Sequence, residues 1–253
     1  MKFENKFTKK LLSVIPGGAH TYSRGADTFP SNAPAILDRG KAVYVYDEKN
    51  KKYLDYGMGL RSVNIGYSEN SINNAAIKAI KKGNNLTRPS LVELKAAQVF
   101  TSLIDNADMV KFTKNGSTAV TAAVKLARAF TGKKIVLRCE EQPFFSFDDW
   151  FIGSTNVTRG ITDETIKLTK KFNYNDIGSL ERQIIKYKNR IACVVLEPSS
   201  TECPKINKND TACCNLSKCN RNFKKKDHFL KQVERICKKN KIVFVLDEMI
   251  TGF

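Results

Sequence analysis

The 253-residue chain predicts an α/β fold: a mainly parallel sheet with helices on both faces, preceded by a small N-terminal α+β lobe. Three observations carry that expectation. From about residue 109 onward, apolar strand-like runs alternate with helix-length segments joined by glycine-containing turns, the order from which parallel sheets are built. Residues 242–246, IVFVL, form a continuous apolar run, the pattern of a strand buried on both faces of such a sheet. In the N-terminal part, residues 43–46 and 52–56 alternate around Asp47-Glu48-Lys49-Asn50, which is a hairpin signal instead. The expected division is a lobe over residues 1–70 and a large domain over 71–253.

Taken in order, residues 3–13 read as a short amphipathic helix ended by Pro16-Gly17-Gly18, and residues 14–40 as extended loop. Ile72, Ala75, Ala76, Ala79 and Ile80 recur at helical spacing over 71–82, ending at Gly83. A second helix covers 90–104, with Ser90 as N-cap and Glu93 three residues on, a capping box. Then follow a strand over 109–113, a helix over 117–130 and a strand over 135–139. A helix over 177–187, a strand over 191–196, a helix near 227–239 and the final strand complete the reading. No internal repeat is visible.

No apolar run approaches the roughly 20 residues of a membrane span, and MKFENKFTKK lacks the apolar core of a signal peptide. A cytoplasmic protein whose seven cysteines stay reduced is therefore expected, with no membrane partner. The 43 basic against 25 acidic residues give a net charge of +18, which raises nucleic-acid binding as a function. The lysines are scattered in pairs, such as Lys51-Lys52, Lys81-Lys82 and Lys238-Lys239, not gathered in a stripe. No nucleic-acid partner is expected.

Several constellations bear chemistry. Asp247 and Glu248 follow the last strand directly, where open α/β sheets bind ligands, and a buried carboxylate there needs a cationic partner. Asn115-Gly116-Ser117-Thr118-Ala119 joins a strand to an alanine-rich helix, and reads either as an anion site at a helix N-terminus or as a cap without ligand. The run from Pro143 to Phe151 holds five aromatics in nine positions, either a core cluster or a surface for a flat ring. Glu197-Pro198 ends the strand over 191–196, as a crevice carboxylate or a surface acid. Arg24 and Arg61 are loop arginines that can clamp a carboxylate or do nothing of the kind. Cys203, Cys213, Cys214 and Cys219 crowd one polar segment with His228. Four thiols suit zinc, but without a C-x-x-C pair the better reading is a lysine- and asparagine-rich insertion with incidental thiols, and no metal. His20 is given no role.

At six places, in order, the chain resembles one family: IPGGAHTYSRG, AVYVYDEKNKKYLDYGMG, KNGSTAVTAAVKLARAFTG, PFFSFDDWFIGST, VVLEP and VLDEMITGF. Together they are similar to the class III (fold type I) aminotransferases, in the subgroup of glutamate-1-semialdehyde aminomutases. The resemblance implies pyridoxal 5'-phosphate as cofactor, a small amino acid, semialdehyde or keto-sugar as substrate, and a homodimer. It implies that Gly116, Ser117 and Thr118 hold the phosphate, that Asp247 pairs with the pyridine nitrogen, and that Phe144, Phe145, Glu197 and Met249 line the ring. Phe144-Phe145 align with a Tyr-His pair of relatives, and Thr118 stands where many members carry an acid. Arg24 and Arg61 are implied in substrate recognition. The lysine that binds the cofactor covalently is implied to lie beyond Phe253, so the chain reads as truncated and inactive by itself. A non-catalytic paralogue serving as a binding subunit, and a basic nucleic-acid-binding protein, are the alternatives.

Overall fold

The computed structural model describes residues 6–199, 202–205 and 228–252. The chain divides into two compact units, Met1–Val99 and Phe100–Phe253. The expected 70/71 boundary falls inside the first of these.

The first unit begins with α1 (Lys6–Val14) and three short 3-10 turns, then a three-stranded antiparallel sheet of β1 (Leu37–Lys41), β2 (Tyr44–Asp47) and β3 (Lys52–Leu54). The hairpin is in register, with Tyr44 opposite Leu54 and Tyr46 opposite Lys52. Asp47 folds its own turn: its carboxylate accepts from the Lys49 and Lys51 N–H groups and from the Tyr53 hydroxyl. β1 overlaps the end of the stretch expected to be loop, residues 14–40. Its sequence, LDRGK, has no apolar alternation, and it is held by pairing with β2. The helical turn α2 (Met58–Arg61) precedes α3 (Asn70–Ile80), and α4 (Leu91–Leu103) crosses into the second unit. The capping box of α4 is formed: Ser90 N–H donates to Glu93 Oε2 at 2.6 Å, and Glu93 N–H to Ser90 Oγ at 3.3 Å.

The second unit is built on a four-stranded, wholly parallel sheet in the order β5-β4-β6-β7. Its strands are β4 (Ile135–Cys139), β5 (Thr169–Phe172), β6 (Ile191–Leu196) and β7 (Val243–Leu246). The strand period of two divides the core. Ile135, Leu137, Val194 and Leu196 face α8 (Ile177–Lys186) and α9 (Phe229–Lys239), packing with Leu180, Ile184, Val233 and Cys237. Val136, Cys193 and Val195 face α5 (Gly116–Thr131) and α6 (Asp149–Ile152), packing with Val120, Val124, Ala127 and Phe151. Helices therefore cover both faces, as expected. A short α7 (Asp163–Ile166) precedes β5.

Three expectations need correction. The strand expected over 109–113 does not form: Met109 is 89% and Phe112 52% exposed, and no partner strand lies beside them among the described residues. A strand exists through its ladder, not its composition alone. β5, TKKF, was not expected, because Lys170 and Lys171 hide its pattern. It is an edge strand, where lysines are tolerated and discourage further pairing. β7 is only partly buried because β6 is its sole ladder partner among the described residues.

Candidate functional site

The C-terminal ends of β4, β6 and β7 and the N-terminus of α5 come together at one edge of the sheet. Asn115 caps α5 in extended conformation, and its Oδ1 accepts from the Thr118 N–H at 2.9 Å and the Thr118 hydroxyl at 3.0 Å. The Asn115 carbonyl accepts from the Ala119 N–H. Of the first four helical N–H groups, those of Gly116 and Ser117 thus remain for a ligand. Thr118, expected among the donors, already directs both its polar hydrogens to Asn115. No acidic residue occupies the first turn of α5, so the positive end of the helix dipole is unopposed.

Asp247 follows β7, and its N–H continues the ladder by donating to the Leu196 carbonyl at 3.0 Å. Its side chain is half-buried, and Oδ1 accepts from the Met249 N–H at 3.1 Å. Burial raises the carboxyl above the ordinary aspartate range, and that one hydrogen bond offsets the rise only in part. This turn lies against α5: a Cβ placed on Gly116 would be 3.9 Å from Met249 Sδ. Met249 is 72% exposed beside it.

The loop after β4 joins the same edge. Ser146 Oγ donates to the Ser117 carbonyl at 3.3 Å and lies 2.9 Å from Thr121 Oγ1, which accepts from the indole N–H of Trp150. Phe144 is 53% exposed and meets Phe151 edge-to-face, with centroids 5.7 Å apart. Phe145, expected to line the ring, is 2% exposed and packs in the core with Val120, Val124 and Phe151. An apolar ring gains more from that core than from a crevice wall, so Phe144 is the member of the pair left at the surface. Behind the loop, Arg138 is buried, with the charges of Glu140 and Glu141 nearby. Its guanidinium donates to Ser154 Oγ at 2.7 Å, to the Ser154 carbonyl at 2.8 Å and to the Cys139 carbonyl at 2.8 Å, and lies 5.1 Å from the Phe151 ring centroid.

Glu197 at the end of β6 is buried, not a surface acid. Its N–H donates to Gln142 Oε1 at 2.9 Å, and Gln142 Nε2 donates to its carbonyl at 2.8 Å. The Tyr174 hydroxyl donates to the next carbonyl, that of Pro198. Gln142 escaped the sequence reading, since a lone glutamine between Glu141 and Pro143 carries no pattern.

Arg24 and Arg61 lie in the first unit, both exposed. α2, which ends on Arg61, runs through positive φ at all four residues, from 46° at Met58 to 70° at Arg61. This left-handed turn costs roughly 1–2 kcal/mol for each non-glycine residue. Asp55 holds it, accepting from the Gly57 N–H at 2.9 Å, the Gly59 N–H at 3.3 Å and the Tyr67 hydroxyl at 2.6 Å. Among the described residues no cluster of side chains suits a metal ion. Cys139, Cys193, Cys203 and Cys237 are free thiols, and Cys213, Cys214 and Cys219 lie outside the described residues.

The family model for class-III aminotransferases matches residues 26–253. The chain belongs to the class-III aminotransferase family. Among curated class-III relatives, it is 28% identical to a glutamate-1-semialdehyde 2,1-aminomutase of Campylobacter hominis, an alignment covering 98% of this chain and 53% of the relative. It is 26% identical to the aminomutase of that name from Francisella philomiragia, covering 97% of this chain and 54% of the relative. The fold matches that of an omega-transaminase from Sphaerobacter thermophilus, with a TM-score of 0.78 at 21% identity, over 97% of this chain and 54% of that one. It also matches the FumI protein of Sphingopyxis sp. MTA144, solved with pyridoxal phosphate, with a TM-score of 0.78 at 24% identity over 97% and 55%. The chain spans about half the length of the curated relatives it matches.

Proposed function

We propose that the chain forms the cofactor-binding part of a pyridoxal-phosphate-dependent aminotransferase or aminomutase acting on a small amino acid, semialdehyde or keto-sugar. One observation carries this reading. The two open N–H groups of α5 and the desolvated carboxyl of Asp247 meet at one sheet edge, bridged by Met249 against Gly116. That pairs a site for an anion with a site for a cation, the two charged ends of a pyridinium phosphate. The donor set fits the group.

Gly116 and Ser117 donate their N–H groups to the phosphate, aided by the dipole of a 16-residue helix. Asp247 would pair with the cationic ring nitrogen of the cofactor, and its carboxyl would then be ionised. Phe144 and Met249 offer flat and polarisable surfaces to the ring, and Glu197 walls its edge. The bound cofactor supplies an electron sink for the substrate carbanion. Arg24 and Arg61 enter this reading only through the family resemblance, as arginines able to recognise a substrate carboxylate. Phe145 brings no titratable group where the family resemblance implies histidine, which favours a substrate other than the classical one and leaves a semialdehyde, an amino acid and a keto-sugar open. A homodimer belongs to the same reading.

Titration with pyridoxal 5'-phosphate tests it, followed by quenching of Trp150, the single tryptophan. Saturable quenching that Asp247→Ala weakens by about tenfold or more is expected. Absence of saturable quenching contradicts it.

A further inference from the structure

We propose that Gln142 is a positioning residue for the crevice, fixing Glu197 and the Phe144 ring in one mutual arrangement. The inference rests on the cofactor reading above and adds a residue to it.

The last ladder pair between β4 and β6 is Arg138 with Val195. Past Cys139 the chain leaves the sheet, and the β4–β6 ladder stops short of Glu197. The Gln142 side chain takes the place of a ladder partner there. Its carboxamide accepts from the Glu197 N–H at 2.9 Å and donates to the Glu197 carbonyl at 2.8 Å. A planar group with one donor and one acceptor imitates a peptide unit, so the pairing extends beyond the strand that began it. The residue is 3% exposed, and every hydrogen bond named at this position is therefore shielded from competing water.

The loop that carries this amide also carries Phe144. Pro143 between them has a fixed φ and no N–H. On the far side, Phe145 is locked in the core and Ser146 donates to the Ser117 carbonyl. Phe144 is thus an exposed ring strung between two fixed points, one of them keyed to Glu197. Loss of the key frees the near end of the loop and the end of β6 together. Leucine offers neither donor nor acceptor. Glutamate offers only acceptors when ionised, but regains the donor when protonated, with the same shape.

The experiment compares the wild-type protein with Gln142→Leu, Gln142→Glu and Tyr174→Phe, using pyridoxal 5'-phosphate and the quenching of Trp150. Circular dichroism of each variant runs alongside. Tyr174→Phe removes the neighbouring bond to the Pro198 carbonyl and reports general loosening of the β6 end. At about pH 7.5, Gln142→Leu and Gln142→Glu are expected to bind about tenfold more weakly than wild type, with Tyr174→Phe within about twofold. At about pH 5.5, Gln142→Glu is expected to move back toward wild type measured at that pH, while Gln142→Leu does not. Wild-type affinity in Gln142→Leu, equal losses in Gln142→Leu and Tyr174→Phe, or a Gln142→Glu that follows Gln142→Leu at both pH values would each overturn the assignment. A wild-type protein that shows no saturable quenching overturns the cofactor reading itself, an outcome distinct from the other three.

Discussion

Asp247 combines stability and function with opposite signs. Its folded-state pKa is raised by burial, so folding favours the neutral carboxyl. The stability this contributes is fully present below the unfolded value, about 3.9, and is lost as pH rises through the folded value. Asparagine at this position keeps an acceptor for the Met249 N–H and carries no charge. Asp247→Asn is therefore expected to raise the melting temperature at about pH 7 and to leave it unchanged near pH 3, while weakening cofactor binding. A fall in melting temperature at neutral pH would contradict the desolvation account. The neighbouring phenylalanines separate in the same way. Phe145→Ala empties a core site and is expected to cost about 3–5 kcal/mol in urea unfolding. Phe144→Ala, at a half-exposed ring, is expected to cost under about 1 kcal/mol and to act on the cofactor instead.

The elements that shape the crevice depend on a few side chains at their ends. Asn115 closes the start of α5, and Asn115→Ala is expected to cost about 1 kcal/mol by thermal unfolding. Arg138 ties the end of β4 to Ser154 through a fork of bonds that an ammonium group does not reproduce. Arg138→Lys is expected to lose about 2 kcal/mol for that reason, measured by urea unfolding. In the first unit, burial raises the pKa of Asp55, but the bonds from Tyr67, Gly59 and Gly57 outweigh it and leave the carboxyl below its ordinary value. Its contribution to the left-handed turn is present above the unfolded pKa and fades as pH falls through the folded one. Amide protection factors across 57–63, taken relative to the intrinsic exchange rate at each pH, are expected to fall at low pH before those of the rest of the first unit.

Among the described residues, exposed apolar side chains are abundant. α3 and α4 bury none of their side chains, although α4 carries Leu91, Val92, Leu94, Val99 and Leu103. On α5, Leu126 and Phe130 project from the side away from the core, 70% and 82% exposed. Monomeric proteins rarely leave so much apolar side chain uncovered. The 253-residue chain expressed by itself is expected to bind the dye ANS and to sediment as concentration-dependent oligomers. A monodisperse monomer that leaves the dye dark would show these faces to be indifferent to water. No helix among the described residues is long and apolar enough to cross a membrane.

Local pattern was enough to foresee the capping box at Ser90 and Glu93, the hairpin, the helices on both faces and the six motifs of the family. Each is written within a dozen or so neighbouring residues, where period and turn chemistry act directly. Partners distant in sequence decided the rest. β1 and β5 are held by the ladders that β2 and β4 offer them, and among the described residues no strand lies beside 109–113. Asn115 draws Thr118 away from the anion site, the core takes Phe145 and leaves Phe144, and Gln142 reaches 55 residues along the chain to Glu197. A hydrogen-bond donor or an apolar ring has one place in a fold. Which competitor receives it depends on atoms that only tertiary structure brings together.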